Sequence, residues 1–425
     1  MHLYLENLAE ITPILLNSDK DTYEESLSKL NERLNKLDKL PSSPYKTFAT
    51  AEIHLQWAFV KARYGESINA FLDFRKAYRY TAYNLEQHPD FTPSKKTMGI
   101  LALTLKAIPE NLHWITKLLG ISPSEESLLY LYGIADSSDL LSEEAQLATA
   151  LIQAYLLNEG EAALSSIKKQ IAARPDNLIT HLAGAWIALK HSDSQFGLKC
   201  VQKLESKNTW FDYLPYLKGN LLLCNGKFKP AAIQLQHFLD INQGKDYIKD
   251  SNFKLFLCYW FTGHPDNKYL KAAQSEGSTL AAADRYALRF SEYKKLPNKD
   301  ITLARILTDG GEYTQALSVL EKIPLDSLTS DEDRVEYLYR KARIYHKIHK
   351  AQQALYFYQK TVESGARIPR YFAANSCLQM GILMQQSGNN SKAVKYYHQV
   401  LEFDEHEYKS SLDYQAKIRI RQLAK

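Results

Sequence analysis

Glycine, proline and cysteine are scarce in this 425-residue chain, at 17, 14 and four residues. So few turn formers exclude most sandwiches and barrels, which need a tight turn after every short strand. The cysteines Cys200, Cys224, Cys258 and Cys377 form no CxxC and no histidine-flanked pair, so neither a disulfide framework nor a zinc site is expected. Each lies in an apolar helical context, where a thiol serves as a small hydrophobe. No apolar run reaches the length of a membrane span, so no integral membrane segment is expected. Met1-His2-Leu3 leads directly into an amphipathic helix with no basic region before an apolar core, so no export signal is expected within this sequence. Catalytic signatures are missing too: no phosphate-binding loop, no dinucleotide fingerprint, no nucleophile elbow and no H-E-x-x-H. An enzyme, a catalytic residue, a bound metal or a cofactor is therefore not expected.

What remains is helix-forming. Hydrophobic residues make up 45% and charged residues 24%, ordinary values for a folded chain. Leu, Ala, Lys and Glu dominate, and all favour helix. The net charge of +5 is uneven: from Arg340 to Lys425 there are 15 Lys and Arg against 6 Asp and Glu. That basic third could be a solvated face, or could steer an anionic lipid or polysaccharide surface. No nucleic-acid-binding motif accompanies it, so a nucleic-acid partner is not expected.

A small residue recurs with a period near forty. Ala316, Ala354 and Ala393 are thirty-eight and thirty-nine residues apart; twelve residues before each stands Ala304, Ala342 or Gly381, and four after each stands Leu320, Tyr358 or Tyr397. Such a period marks stacked supersecondary units. Small residues let two antiparallel helices approach, and the bulky one fills the gap between adjacent hairpins. The expected hairpins run over 299–323 with a break at Asp309-Gly310-Gly311, over 334–363, and over 371–403 with a break at Ser387-Gly388-Asn389. A capping helix over 409–424 buries Leu412, Ala416, Ile420 and Leu423. Upstream the frame is looser: Gly219, Gly226, Ala231 and Leu235; Ala163, Ile167 and Pro175; Ala58, Gly65, Ala70, Phe74 and Ala77. Hairpins over 177–205 and 248–275 are expected from periodicity alone. The reading is all-α, a solenoid of six to eight helical hairpins. Its divisions are 1–135, with one hairpin and an irregular insert; 136–290, with degenerate repeats; and 291–425, with regular repeats and the cap.

The irregular segment spans His88 to Leu128. Pro89 and Pro93 should end the preceding helix, with short helices over 94–107 and 110–119 following and Pro109 opening the second. Gly99 is expected at a close-packing site and Gly120 at a helix C-cap. Together with Ala51 to Glu66, the residues Gly99, Pro109-Glu110, Trp114 and Leu118-Leu119-Gly120 resemble the inclusion-body clearance family of tetratricopeptide (TPR) proteins and its bacterial relatives. The likeness covers about 45–130, a fifth of the chain, and implies a TPR-like fold more than a function. Similar bacterial proteins begin with an export signal, whose removal from this chain would imply a cell-envelope or periplasmic setting; otherwise a cytoplasmic one is expected.

The resemblance to TPR proteins implies a protein or peptide partner, bound on a concave face made by the first helix of each hairpin. Its frame places Tyr213, Tyr216 and Asn220 on that face, then Arg305, then Tyr339, Arg343, His346 and Lys347, and finally Asn375, Gln379 and Gln385. Tyr, Arg, Asn and His are residue types that interfaces favour. Tyr339 and Arg343 stand where the superfamily's carboxylate clamp has Lys and Asn, so a chaperone C-terminus is not the expected ligand. His346 and His349 are at metal spacing but lack a third ligand. Asp331-Glu332-Asp333 follows Ser330, which reads as a helix N-cap with dipole-favoured carboxylates. Asn389 opens a glycosylation sequon at a hairpin turn, where Asn is favoured on its own account. A remote alternative is an enzyme site around His88, His113 and Trp114.

Overall fold

In the computed structural model the described residues are 2–17, 20–106, 125–136, 141–157, 159–209 and 211–423. They form an all-α, TPR-like repeat fold with 22 α-helices and no strand among them. Eight hairpins account for sixteen helices, so the expected count falls short. The excess lies mostly outside the repeat frame. It comprises an N-terminal pair, the two helices over 92–106 and 125–135, one unpaired helix before the last repeats and the cap. The helices group into two compact units, Met1–Leu223 with Lys227–Glu292, and Cys224–Gly226 with Tyr293–Lys425.

Unit 1 begins with α1 (His2–Asn17) and α2 (Lys20–Asp38), which pack on α3 (Pro44–Arg63). The hairpin of α3 and α4 (Ser67–Gln87) follows. Ser43 caps α3 by accepting a hydrogen bond from the Lys46 amide at 3.2 Å, with Pro44 in the first turn. Pro93 does not end the helix before it: α4 stops at Gln87, and Pro93 instead sits in the first turn of α5 (Thr92–Lys106). A proline lacks only an amide that a helix start leaves unpaired anyway. Gly99 lets α5 meet α6 (Glu125–Ala135), because a Cβ there would lie 2.8 Å from the Leu131 backbone nitrogen. Pro109-Glu110, Trp114, Leu118-Leu119-Gly120 and the expected 110–119 helix lie outside the described residues. Further hairpins are α7 (Ser142–Tyr155) with α8 (Gly160–Ala173), α9 (Leu178–Lys190) with α10 (Ser194–Ser206), α11 (Leu214–Cys224) with α12 (Phe228–Ile241), and α13 (Ile248–Phe261) with α14 (Asn267–Ser275); α15 (Ala282–Ser291) closes the unit.

One ionic knot sits inside unit 1. Lys96 of α5 is 0% exposed, with its Nζ 3.2 Å from Glu52 of α3 and 2.7 Å from Glu144 of α7. Tyr4 of α1 donates to the same Glu144 carboxylate at 3.0 Å, and Thr97 donates to Glu52 at 2.5 Å. Burial and the nearby Glu144 push the Glu52 carboxyl up, against the pull of Lys96. The knot thus ties four helices together through one cation.

Unit 2 contains α16 (Lys299–Asp309) with α17 (Tyr313–Glu321), α18 (Asp331–Lys347) with α19 (Ala351–Gly365), α20 (Phe372–Gln386) with α21 (Asn390–Glu402), and the cap α22 (Lys409–Leu423). Every position of the repeat frame is buried: Ala304, Ala316 and Leu320; Ala342, Ala354 and Tyr358; Gly381, Ala393 and Tyr397. Gly381 is required by its partner sixteen residues on, since a Cβ would overlap the Tyr397 ring. The looser frame obeys the same rule, with Gly219 against Leu235. Leu412 and Ala416 of the cap are buried, and Ile420 and Leu423 pack beside them.

In four hairpins the turn holds a left-handed glycine at the same place in the frame, Gly65, Gly226, Gly311 and Gly388, with φ between 76° and 85°. In the hairpin of α18 and α19 the same frame position falls on His349, at φ 59°. This explains the histidine pair. α18 ends at Lys347, so His346 and His349 do not continue along one helix face, and no metal-binding cluster occurs among the described residues. A left-handed non-glycine residue carries roughly 1 kcal/mol of strain or more. His349→Gly is therefore expected to raise unfolding stability by about 1 kcal/mol, read as a higher chemical-denaturation midpoint at unchanged slope.

Candidate functional site

The first helices of unit 2, α16, α18 and α20, carry eight of the expected groove residues. Three hydroxyl-centred pairings organise them. Asn375 donates to the Tyr339 hydroxyl at 2.7 Å, and Gln379 donates to the Asn375 side-chain oxygen at 3.2 Å. The Tyr358 hydroxyl meets His346 Nδ1 at 3.1 Å, and Arg343 also bonds that hydroxyl. In the next repeat the Tyr397 hydroxyl donates to Gln385 at 2.7 Å, and Arg419 of the cap reaches the same Gln385 oxygen at 3.3 Å. His346 and Gln385 thus hold equivalent places, each twelve residues before its tyrosine. The repeat tyrosine spans the core and surfaces its hydroxyl under the first-helix face.

Charge surrounds these pairs. Arg340 binds Glu336 through Nε at 3.0 Å and Nη2 at 2.7 Å, and its guanidinium lies 5.2 Å from the Tyr339 ring centroid. Burial disfavours the Glu336 anion, but Arg340 and Arg305 outweigh it and hold the carboxyl below its usual range. Arg305 and Arg343 are partly exposed. Tyr339 is different. It is buried against Tyr358, Tyr371 and Phe372, so it builds the floor of the face and its ring does not lie open on it.

Burial, then Arg343, Lys347 and His349, push the His346 imidazole down to about 4. Its folded value lies below the unfolded one near 6.5, so this histidine favours folding above about pH 6.5 and loses that contribution as pH falls towards 4. The loss is about 3 kcal/mol at 1.36 kcal/mol per pH unit. His346→Gln, which copies Gln385 of the next repeat, is expected to keep the Tyr358 bond. Its melting temperature should fall less than wild type between pH 7 and pH 4.5; equal falls would contradict the assignment.

Tyr213, Tyr216 and Asn220 form a separate cluster in unit 1, on α11 and the turn before it. Tyr216 donates to Asp250 at 2.6 Å, Lys254 binds the same carboxylate at 2.5 Å, and Lys254 also bonds Asn220. Tyr213 packs against Tyr216 and Tyr247, and Arg63 lies over the Tyr247 ring while pairing with Asp246 at 2.9 Å. Tyr216 and Asn220 are buried, and their polar groups are spent inside the cluster. Sequence reasoning missed Asp250, Lys254 and Tyr247. The Asp250–Lys254 spacing of four is legible, but the neighbouring hairpin it serves is not.

Elsewhere, Ser330 accepts from the Asp333 amide at 3.4 Å and Asn389 from the Lys392 amide at 3.2 Å, so both motifs act as helix caps. All four cysteines are buried and unpaired in disulfides, and burial pushes Cys200 and Cys377 up to about 12. His88 is exposed at the end of α4, while His113 and Trp114 lie outside the described residues. No described helix is long and apolar enough to cross a membrane.

No protein-family profile matches the sequence, and no curated protein matches it either. Among solved structures the chain is similar to a tetratricopeptide repeat protein from Parabacteroides merdae, 10% identical, with 88% of this chain and 99% of that one covered and a TM-score of 0.26. It is similar to yeast Tom70 at 12% identity, 96% and 97% coverage and a TM-score of 0.27. Human IFIT1, solved as a dimer with PPP-AAAA, is 13% identical, with 90% and 87% covered and a TM-score of 0.34. Likeness at such TM-scores carries no weight for function, and the repeat architecture stands on the hairpin frame itself.

Proposed function

We propose that the first-helix face of unit 2 binds an extended, carboxylate-bearing peptide segment of a partner protein, without covalent chemistry. The supporting observation is how the polar groups there are spent. The Tyr339, Tyr358 and Tyr397 hydroxyls are engaged from within. Arg343, Asn375 and Gln379 are partly exposed and keep further donors, since an amide nitrogen carries two hydrogens and a guanidinium five. Asn and Gln can meet both the N–H and the C=O of an extended backbone. Arg305, Arg343 and Lys347 supply positive charge for its side chains, with Arg able to grip a carboxylate in two places. In this reading Tyr339, His346 and Gln385 hold the face in shape. Tyr213, Tyr216 and Asn220 do the same in unit 1.

Selection from a random peptide library with the full chain is expected to enrich Asp and Glu. The double change Arg343→Gln with Gln379→Ala should remove that enrichment at unchanged melting temperature. The same peptides recovered by the variant would refute the reading. Capture on anionic vesicles or heparin, abolished by moderate salt, would instead favour the basic C-terminal third as the binding surface.

A further inference from the structure

In unit 1 a helix of the chain itself lies where stacked helix pairs hold a ligand. α1 meets α3, α5 and α7 in turn. Gln56 of α3 accepts from the Asn7 side-chain amide at 2.5 Å, and Trp57 donates to the Asn7 oxygen at 3.0 Å. The Lys96 ammonium of α5 lies 5.8 Å from the Tyr4 ring centroid, and Glu144 of α7 accepts from the Tyr4 hydroxyl at 3.0 Å. At the other end of α1, Leu16 packs against the core that α9, α10 and α11 share. A single helix with these neighbours crosses the face that such pairs offer as a groove.

The anchors of α1 are Tyr4, Asn7, Ile11 and Ile14, all buried and spaced as one face of a helix laid in a groove. Two features set this contact apart from the apolar interior of a hairpin. The floor beneath α1 includes Glu52, Gln56 and Lys96, all buried. Polar groups regain hydration when their cover lifts, so parting this contact costs less than parting an apolar one of the same area. The covering helix is also a poor one. Pro13 stands inside it and brings no amide to its hydrogen-bond ladder, and Leu5 and Leu8 are exposed on its outer side.

We propose that this face of unit 1 is a docking groove for an amphipathic helix of a partner protein, and that α1 fills it as a built-in substitute which the partner displaces. The partner helix presents a phenol, a carboxamide and two aliphatic side chains at the spacing of Tyr4, Asn7, Ile11 and Ile14, with no proline. The groove is independent of the acidic-peptide face of unit 2, and neither proposal rests on the other.

The test titrates a labelled peptide with the sequence of residues 1–17 into the full chain, wild type and Ile11→Asp, whose own α1 is loosened. Saturable binding to the variant, at least about tenfold tighter than to wild type, supports the groove. The peptide with Pro13→Ala should bind tighter, and the peptide with Asn7→Ala about tenfold weaker. Asn7→Ala in the chain is the gentler opening variant, used in place of Ile11→Asp where circular dichroism shows that the latter loses more helix than α1 contains. Native-state hydrogen exchange of wild type gives a reading free of any variant: the α1 amides should exchange at least about tenfold faster than those of α3. No saturable binding by a folded variant up to about 100 μM peptide, equal affinity in wild type and variant, or α1 and α3 exchanging at one rate would each overturn the proposal. A wild-type dimer in light scattering that the peptide disperses would assign the groove to α1 of a second copy, against a partner helix.

Discussion

Lys96→Met is expected to destabilise unit 1 by about 3–5 kcal/mol, the loss typical of breaking a buried ion pair from one side. The reason is the pair of carboxylates left behind. Glu52 is buried on α3 and Glu144 approaches it from α7, and among the described residues Lys96 is the one cation within ion-pair distance of both. Without it, Glu52 must take up a proton or remain as an uncompensated buried charge. The double change Lys96→Met with Glu52→Gln removes that charge and should recover most of the loss, because a similar volume of apolar and neutral groups replaces the pair. Denaturant unfolding of the three proteins at neutral pH reads the result. Equal destabilisation by the single and double changes would show that packing, not charge, is at stake.

Tyr397→Ala should cost unit 2 about 3–5 kcal/mol, the range for emptying a buried aromatic site. The residue is buried between α20 and α21, with its ring against Gly381 and its hydroxyl on Gln385. Tyr397→Phe removes only the hydrogen bond and should cost about 1 kcal/mol. Gly381 supplies the control. Gly381→Ala in the wild-type chain drives a methyl into the ring and should cost about 1–3 kcal/mol. In the Tyr397→Ala background the same change fills space and improves helix propensity, so it should stabilise. Additive effects of the two changes would contradict the sixteen-residue contact on which the repeat frame rests.

The two buried contacts differ in how far the sequence reveals them. The Gly381–Tyr397 contact lies within one hairpin and recurs as Ala342 with Tyr358 and as Gly219 with Leu235, so a fixed offset exposes it. The helices, the glycine turns and the cap over 291–425 were legible for the same reason. Lys96 meets carboxylates 44 and 48 positions away on two other helices, with no repeat to set their register. Nothing local distinguishes Lys96 from a surface lysine. The face residues fall between these cases. Periodicity assigns Tyr339, Arg343, His346, Asn375, Gln379 and Gln385 to first helices. How deeply each is buried depends on the neighbouring hairpin, and so Tyr339 lies in the floor while Arg343 is only half-buried. His349 stands at metal spacing from His346, but the pair lacks a third ligand. Its place in the frame, that of Gly311 and Gly388, is what accounts for it.

The central claim, that unit 2 holds a peptide through Arg343, Asn375 and Gln379, is tested most directly by titration of the strongest library-selected acidic peptide into the full chain. Arg343→Gln with Gln379→Ala is expected to raise the Kd at least about tenfold, as loss of a charge-assisted contact should. Glu402→Gln, at the end of the second helix α21, should leave it unchanged. A Kd equal to wild type in the first variant, with the fold intact, would contradict the claim.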